Sequence, residues 1–174
     1  EQGFNLNKSE FNDVLCLRYD KTIKGMSSRC PCSQPFSVTH AMNCHRGGFI
    51  NSRHNSIRNF EAHLLKEVCN DVQIEPPLQP VEGHVFHRSA NVREDARLDV
   101  RAKGFWRQGQ NAFFDIRVTN TDSASQINKP LKAVLRNHEN EKKRKYNARV
   151  MEVEQGTFTP CLLYTSDAAD EEAS

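Results

Sequence analysis

Four side chains able to share a lone pair with a metal stand in one short segment: Cys30, Cys32, His40 and Cys44. Two thiolates one residue apart can grip a metal from a single tight turn. His40 and Cys44, at i and i+4, share one face of a helical turn that Ser37 can cap and Gly47-Gly48 can end. Three thiolates and an imidazole suit a closed, tetrahedral structural Zn²⁺, with His45 as a spare donor. The alternative is a set of scattered thiols in a loop, although small irregular segments seldom keep such a ligand set without a metal. Cys16, Cys69 and Cys161 stand apart. The six cysteines therefore do not read as a disulfide framework, and their clustering with histidine fits a reducing compartment.

A second group is built from carboxylates. Asp99 and Asp115 each fall on the polar side of a strand pattern, and a hairpin connection through Gly104 and Gly109 makes the strands neighbours. Cross-strand partners lie within a few ångströms, where two carboxylates repel unless a cation sits between them. Mg²⁺ held by carboxylates and water is the usual phosphodiester-cutting arrangement. Lys142 stands on the same helical stripe as Leu131, Leu135 and His138, an inward position where an ammonium is costly without a partner. From there it can polarise a water or steady a phosphate. Lys143, Arg144 and Lys145 point outward, to a DNA backbone or to solvent. The competing reading pairs the two aspartates with Arg97, Arg101 or Arg117 as solvated strand-face ions.

The elements that must position these groups follow from periodicity. Residues 8–19 read as a short amphipathic helix with Phe11, Val14, Leu15 and Leu17 on its apolar side. Residues 52–69 read as a helix burying Ile57, Phe60, Leu64, Leu65 and Val68, with Arg58 and Glu61 outside. A short strand through Val72 and Ile74 ends at Pro76-Pro77, where Glu75 reads as a solvated strand end rather than a metal ligand. A long polar loop covers 78–95. Two strands follow, 97–102 (Leu98, Val100 and Ala102 on one face) and 112–119 (Phe114, Ile116 and Val118 on one face). Residues 130–147 read as a helix opening at Pro130, and a last strand is expected over 149–154. Helix, strand, strand, strand, helix, strand predicts an α/β fold with a mixed sheet flanked by helices.

The chain has 24 Lys and Arg against 22 Asp and Glu, and its first residue is Glu. It contains no apolar run long enough for a membrane span and no signal peptide pattern, so no membrane partner is expected. Residues 161–174 resemble the translation of a sequencing-library adapter; the alternative is a short acidic tail. Without the four acids of that tail (Asp167, Asp170, Glu171, Glu172) the formal charge is +6 rather than +2, which suits an anionic partner. The expected divisions are 1–24, the end of a preceding domain or a linker helix; 25–48, a zinc knuckle; 49–160, an incomplete catalytic domain; and 161–174, a non-native tail.

Taken in order, the Cys-Cys-His-Cys knuckle, the Arg53-His54 pair, a strand with Asp99, a hairpin, a strand with Asp115 and the Lys142-x3-Tyr146 helix resemble the carboxy-terminal region of site-specific non-LTR retrotransposon proteins. That resemblance implies a restriction-like endonuclease of the PD-(D/E)xK type. It further implies Asp99 and Asp115 as Mg²⁺ ligands, Lys142 as the catalytic lysine, and nucleic-acid contacts from Arg53, His54, Arg117, Lys143, Arg144 and Lys145. DNA, the element's own RNA and the reverse transcriptase of the same polyprotein would be its partners, and the nucleus its location. Two positions depart from the pattern: Leu98 precedes the first aspartate where the family has Pro, and Arg117 stands where it has Lys. Arg117 remains charged and cannot act as a base. Two rivals stay open: a binding module on an inactive nuclease scaffold, and an RNase H-like transposase core using Glu139 or Glu141 as a third carboxylate.

Overall fold

The computed structural model describes residues 6–19, 21–121, 123 and 125–165. Its elements are helices α1 (Lys8–Arg18), α2 (Val38–Asn43) and α3 (Phe49–Val68), strands β1 (Asn70–Ile74), β2 (Val100–Lys103) and β3 (Asn111–Asn120), helix α4 (Leu131–Glu152) and strand β4 (Thr157–Thr165). The sheet order is β1-β2-β3-β4. β1, β2 and β3 run antiparallel, and β4 returns parallel to β3 after the α4 crossover. The protein is thus α/β, with an open, mixed four-stranded sheet flanked by helices.

Strand alternation divides the core into two layers. On one side of the sheet Ala112 and Phe114 of β3, with Val100 and Ala102 of β2, pack against Ala62 and Leu65 of α3. On the other, Phe113 and Phe158 meet Tyr146 and Val150 of α4 together with Leu78, Ala96 and Leu98. Leu98 therefore does not share a face with Val100 and Ala102 as the alternation predicts. The chain bends at Asp99, immediately before β2, and the two-residue period does not carry across that bend.

Three further expectations are corrected. No strand covers 149–154: α4 runs through Glu152, and Arg149 and Val150 are wholly buried by it. The last strand is Thr157–Thr165, so Cys161–Thr165 lie inside the sheet, paired with Ile116–Asn120, and do not belong outside the fold. Residues 166–174 lie outside the described residues. Gly156 makes the turn into β4 feasible: a Cβ there would come 2.8 Å from the Asn111 carbonyl oxygen. Finally, the α3 stripe is rotated. Phe60, Leu64 and Val68 are exposed, whereas Ala62 and Leu65 are buried and Glu61 is turned toward the sheet.

One buried side chain of α4 ties three points of the long polar loop together. Arg149 is 0% exposed and donates to the carbonyls of Asn91 (2.7 Å), Arg93 (2.8 Å) and Gln79 (2.8 Å). Replacing it with methionine keeps the stem and removes the donors. The loss is expected to cost about 3 kcal/mol, since hydrogen bonds from a charged group are worth about 1.5–3 kcal/mol each. Urea unfolding of Arg149→Met checks this, and a loss below about 0.5 kcal/mol, typical of a surface change, would contradict it.

α1 is closed by a capping box between Asn7 and Glu10, but Phe11, Val14 and Leu17 on its apolar side remain about half exposed. Among the described residues no helix is long and apolar enough to cross a membrane.

Candidate functional site

The knuckle is assembled by short-range contacts. Cys30 N–H donates to the Gln34 carbonyl and Ser33 N–H to that of Cys30, closing a turn in which Ser33 takes a positive φ of 71°. The turn brings Cys30 and Cys32 to one side. α2 opens on Ser37, whose Oγ accepts from His40 N–H at 3.0 Å, and ends at Cys44. Gly48, at φ 74°, then starts α3, which begins at Phe49 rather than Ser52.

The four ligand atoms all lie within 4.8 Å of one another. Cys30 Sγ and Cys44 Sγ are 3.5 Å apart, and Cys32 Sγ is 3.1 Å from His40 Nε2. Tetrahedral ligands with Zn–S bonds of about 2.3 Å stand about 3.8 Å apart, so separations up to 4.8 Å need only small adjustments to enclose an ion. Cys30 and Cys44 are buried. Burial opposes the Cys44 thiolate, but the backbone N–H groups of Arg46 and Gly47 and the Cys30 thiol outweigh it and bring Cys44 down to about 7. The cluster can hold a metal such as zinc. His45 is exposed and stays outside it.

The two aspartates lie across from each other just before β2 begins. The β2–β3 register, Val100 to Phe114, sets Asp99 opposite Asp115. Asp99 is fixed by its backbone, which donates to the Phe114 carbonyl at 3.1 Å and accepts from Glu75 N–H at 2.9 Å. Its Oδ2 accepts from the Ile116 N–H at 2.6 Å and lies 3.3 Å from His54 Nε2 of α3. Asp115 is 6% exposed and points toward α4, where Lys142 forms an ion pair with it. Burial pushes the Asp115 carboxyl up, Lys142 pulls it back, and the Asp99 charge raises it further. Lys142 thus has its partner, and its ammonium stands 6.0 Å from the Tyr146 ring.

Glu61 was not anticipated. It sits on α3 one turn beyond Ile57 and Arg58, and its Oε1 accepts from the Cys161 thiol at 3.0 Å. Burial raises its pKa, and the charge of Asp99 raises it again. The charge of Asp99 thus reaches Glu61 on α3 and Asp115 on β3. Helical spacing links His54, Arg58, Glu61 and Leu65 on one face, and that polar stripe was the signal in the sequence. Among the described residues the Cys30–Cys44 group is nevertheless the one in which three or more ligand atoms already stand within metal-binding reach.

A raised carboxyl pKa means the folded state disfavours the charged form. Stability from Glu61 is complete below its ordinary range and declines as pH rises through its elevated folded value. Glu61→Gln is therefore expected to raise stability at neutral pH by about 0.5–2 kcal/mol without divalent metal, the usual gain on relieving a functional site. The gain should vanish near pH 4. Thermal unfolding at pH 4 and 7 reads it, and a destabilised variant at pH 7 would contradict it.

The remaining candidates are spread out. Arg53 is half-buried beside the knuckle, with Nη1 3.3 Å from Met42 Sδ, and lines a cavity of about 510 Å³ with Met26, Phe36 and Phe49. His54 faces Asp99 rather than solvent. Arg117 pairs with Glu141 at 2.7 Å, and Lys143 with Glu139 at 2.5 Å. Arg144 and Lys145 are exposed, with Lys145 Nζ 5.3 Å from the Tyr146 ring. Glu75 pairs with Arg58. The chain matches no protein-family model and no curated protein.

Proposed function

We propose that the chain is the metal-dependent endonuclease part of a retrotransposon protein, with a zinc knuckle preceding a restriction-like nuclease fold. The observation that carries this reading is the placement of Asp99 opposite Asp115, with Glu61 within the field of Asp99 and Lys142 on Asp115. Burial and, after it, the charge of Asp99 raise both Glu61 and Asp115, and a bound cation would relieve that charge. The element order, with three antiparallel strands after α3 and a parallel β4 after α4, agrees with that family's expected order.

The donor set fits Mg²⁺, a hard cation that takes carboxylate oxygens and keeps several waters. When bound there it supplies a water of lowered pKa and charge neutralisation at a phosphate oxygen. The chain's own groups do the rest. Ile116 N–H and His54 hold the Asp99 carboxylate in place. Lys142, brought to the site by the face of α4 that also buries His138 and Tyr146, supplies positive charge for a phosphate as DNA enters. Arg117 is drawn off by Glu141, so Lys142 alone holds the lysine role. The product nick would offer a 3′ hydroxyl to the reverse transcriptase of the same polyprotein.

An inactive binding module is favoured by a different observation: each aspartate already has a cationic or N–H partner without metal. An RNase H-like core has less support, because Glu139 and Glu141 are both engaged by Lys143 and Arg117. The test is nicking of supercoiled DNA by the zinc-loaded chain in Mg²⁺ and in EDTA. Mg²⁺-dependent nicking is expected, whereas DNA binding with no nicking would select the binding module.

A further inference from the structure

The hairpin that joins β2 to β3 carries a surface that the carboxylate site does not use. Between Asp99 and Asp115 the chain holds Arg101, Lys103 and Arg107 and no acidic residue. Arg101 is engaged by Asp71. Lys103 and Arg107 are exposed, and among the described residues neither makes an ion pair. Between them stand Phe105 and Trp106, 38% and 58% exposed.

These aromatics are fixed rather than loose. Trp106 Nε1 donates to Thr159 Oγ1 of β4 at 3.2 Å. The Phe105 ring stands edge-on to Trp106 at 4.8 Å and to Phe114 at 5.2 Å. Gly104 N–H donates to the Gln110 carbonyl and Gln110 N–H to that of Arg107, closing the tip. The single polar atom of the indole is therefore already satisfied, and what Trp106 offers to solvent is its π surface. Thr159 lies two residues before Cys161 on the same sheet face, a rise of about 7 Å, and Cys161 donates to Glu61. The ring thus stands two residues along β4 from the thiol that meets Glu61.

A preset aromatic face flanked by unpaired cations, on a hairpin that itself carries no acid, matches a nucleobase and its flanking phosphates. A protein partner would call for a larger apolar patch, and an acidic peptide offers nothing to fill the indole face. We propose that the β2–β3 hairpin is a stacking platform for single-stranded DNA, with Trp106 taking an unpaired base and Lys103 and Arg107 its phosphates. This inference deepens the proposed nuclease reading: it assigns an unpaired base beside the cut to the hairpin.

Trp106 is the chain's one tryptophan, so its fluorescence reports the contact directly. The zinc-loaded chain is titrated with a twelve-nucleotide oligo-dT, read by tryptophan quenching and, separately, by anisotropy of a labelled oligonucleotide. Quenching should accompany binding. Trp106→Ala should weaken binding about tenfold, within the range of one stacked base, while Trp106→Phe stays within about threefold because it keeps a stacking ring. Changing both Lys103→Gln and Arg107→Gln should flatten the slope of log affinity against log salt by about 1.4. Anisotropy-detected binding without quenching, or an alanine variant that binds like the wild type, would overturn the proposal. Nicking by the wild type, scored alongside, separates the two readings. Quenching without nicking keeps the platform and removes the nuclease; nicking without oligonucleotide binding does the reverse.

Discussion

Removing the metal from the knuckle is expected to unfold residues 25–48 while leaving the sheet and its two helices folded. The segment has almost no core of its own: of its residues only Cys30 and Cys44 are buried. Its order rests on four ligand side chains gathered around one point. In small structural sites the apparent zinc free energy is about 10–16 kcal/mol at neutral pH, and that energy is folding energy. Cys44→Ala should therefore abolish the thiolate charge-transfer bands of the Co²⁺-substituted chain. It should also release hydrogen-exchange protection at the Cys30 and Ser33 amides, with protection in β3 unchanged. The pH dependence has a definite sign. Cys44 is lowered from about 9 to about 7, so the stability it contributes is complete above about 9 and is lost as pH falls through about 7. A Cys44→Ala chain that keeps protected amides at Cys30 and Ser33 would contradict the account.

The second large effect concerns the carboxylates. Asp99→Ala and Asp115→Ala should each lower the Mg²⁺-dependent nicking rate by at least about 10²–10³-fold, the scale found when a preorganised electrostatic group is removed. Lys142→Met should fall in the same range, and Lys142→Arg should not restore the rate, because a guanidinium does not replace a compact ammonium. Binding of DNA should change little in the aspartate variants, since each removes negative charge from an electropositive chain. The two aspartate substitutions are not expected to be additive, because the groups act on one ion. Arg117→Lys serves as an internal control. If Lys142 holds the lysine role, this change leaves the rate within about threefold. A large gain would transfer the role to position 117.

Much of this architecture was legible in residues close together in the chain. The knuckle could be read because all four ligands and the Ser37 cap lie within one short segment, so no tertiary information was needed. The hairpin whose tip carries Gly104 and Gly109 makes Asp99 and Asp115 partners in register, but the bend at Asp99 breaks the alternation, so Asp99 meets His54 of α3 and Asp115 meets Lys142 of α4. Glu61 was missed because α3 buries the small Ala62 and Leu65, while Phe60, Leu64 and Val68 look outward. The apolar stripe pointed the wrong way, because polar partners on the sheet side, the Cys161 thiol for Glu61 and Glu75 for Arg58, take up the charged residues. The last strand was misplaced for two reasons. Arg149–Glu154 alternates like a strand, yet Arg149 and Val150 are held by backbone carbonyls and the α4 layer. The true strand extends into Cys161–Thr165, a segment set aside for its resemblance to an adapter translation. Leu98 was assigned to the wrong layer because nothing local announces the bend at Asp99.

The central claim is that Asp99 and Asp115 form a cation site, and Mn²⁺ binding followed by electron paramagnetic resonance tests it most directly. The zinc-loaded chain should bind one Mn²⁺ that Mg²⁺ displaces, and Asp99→Ala should lose it while keeping its zinc. Undiminished Mn²⁺ binding by Asp99→Ala, or none by the wild type, would contradict the claim and leave the two aspartates as a structural ion network.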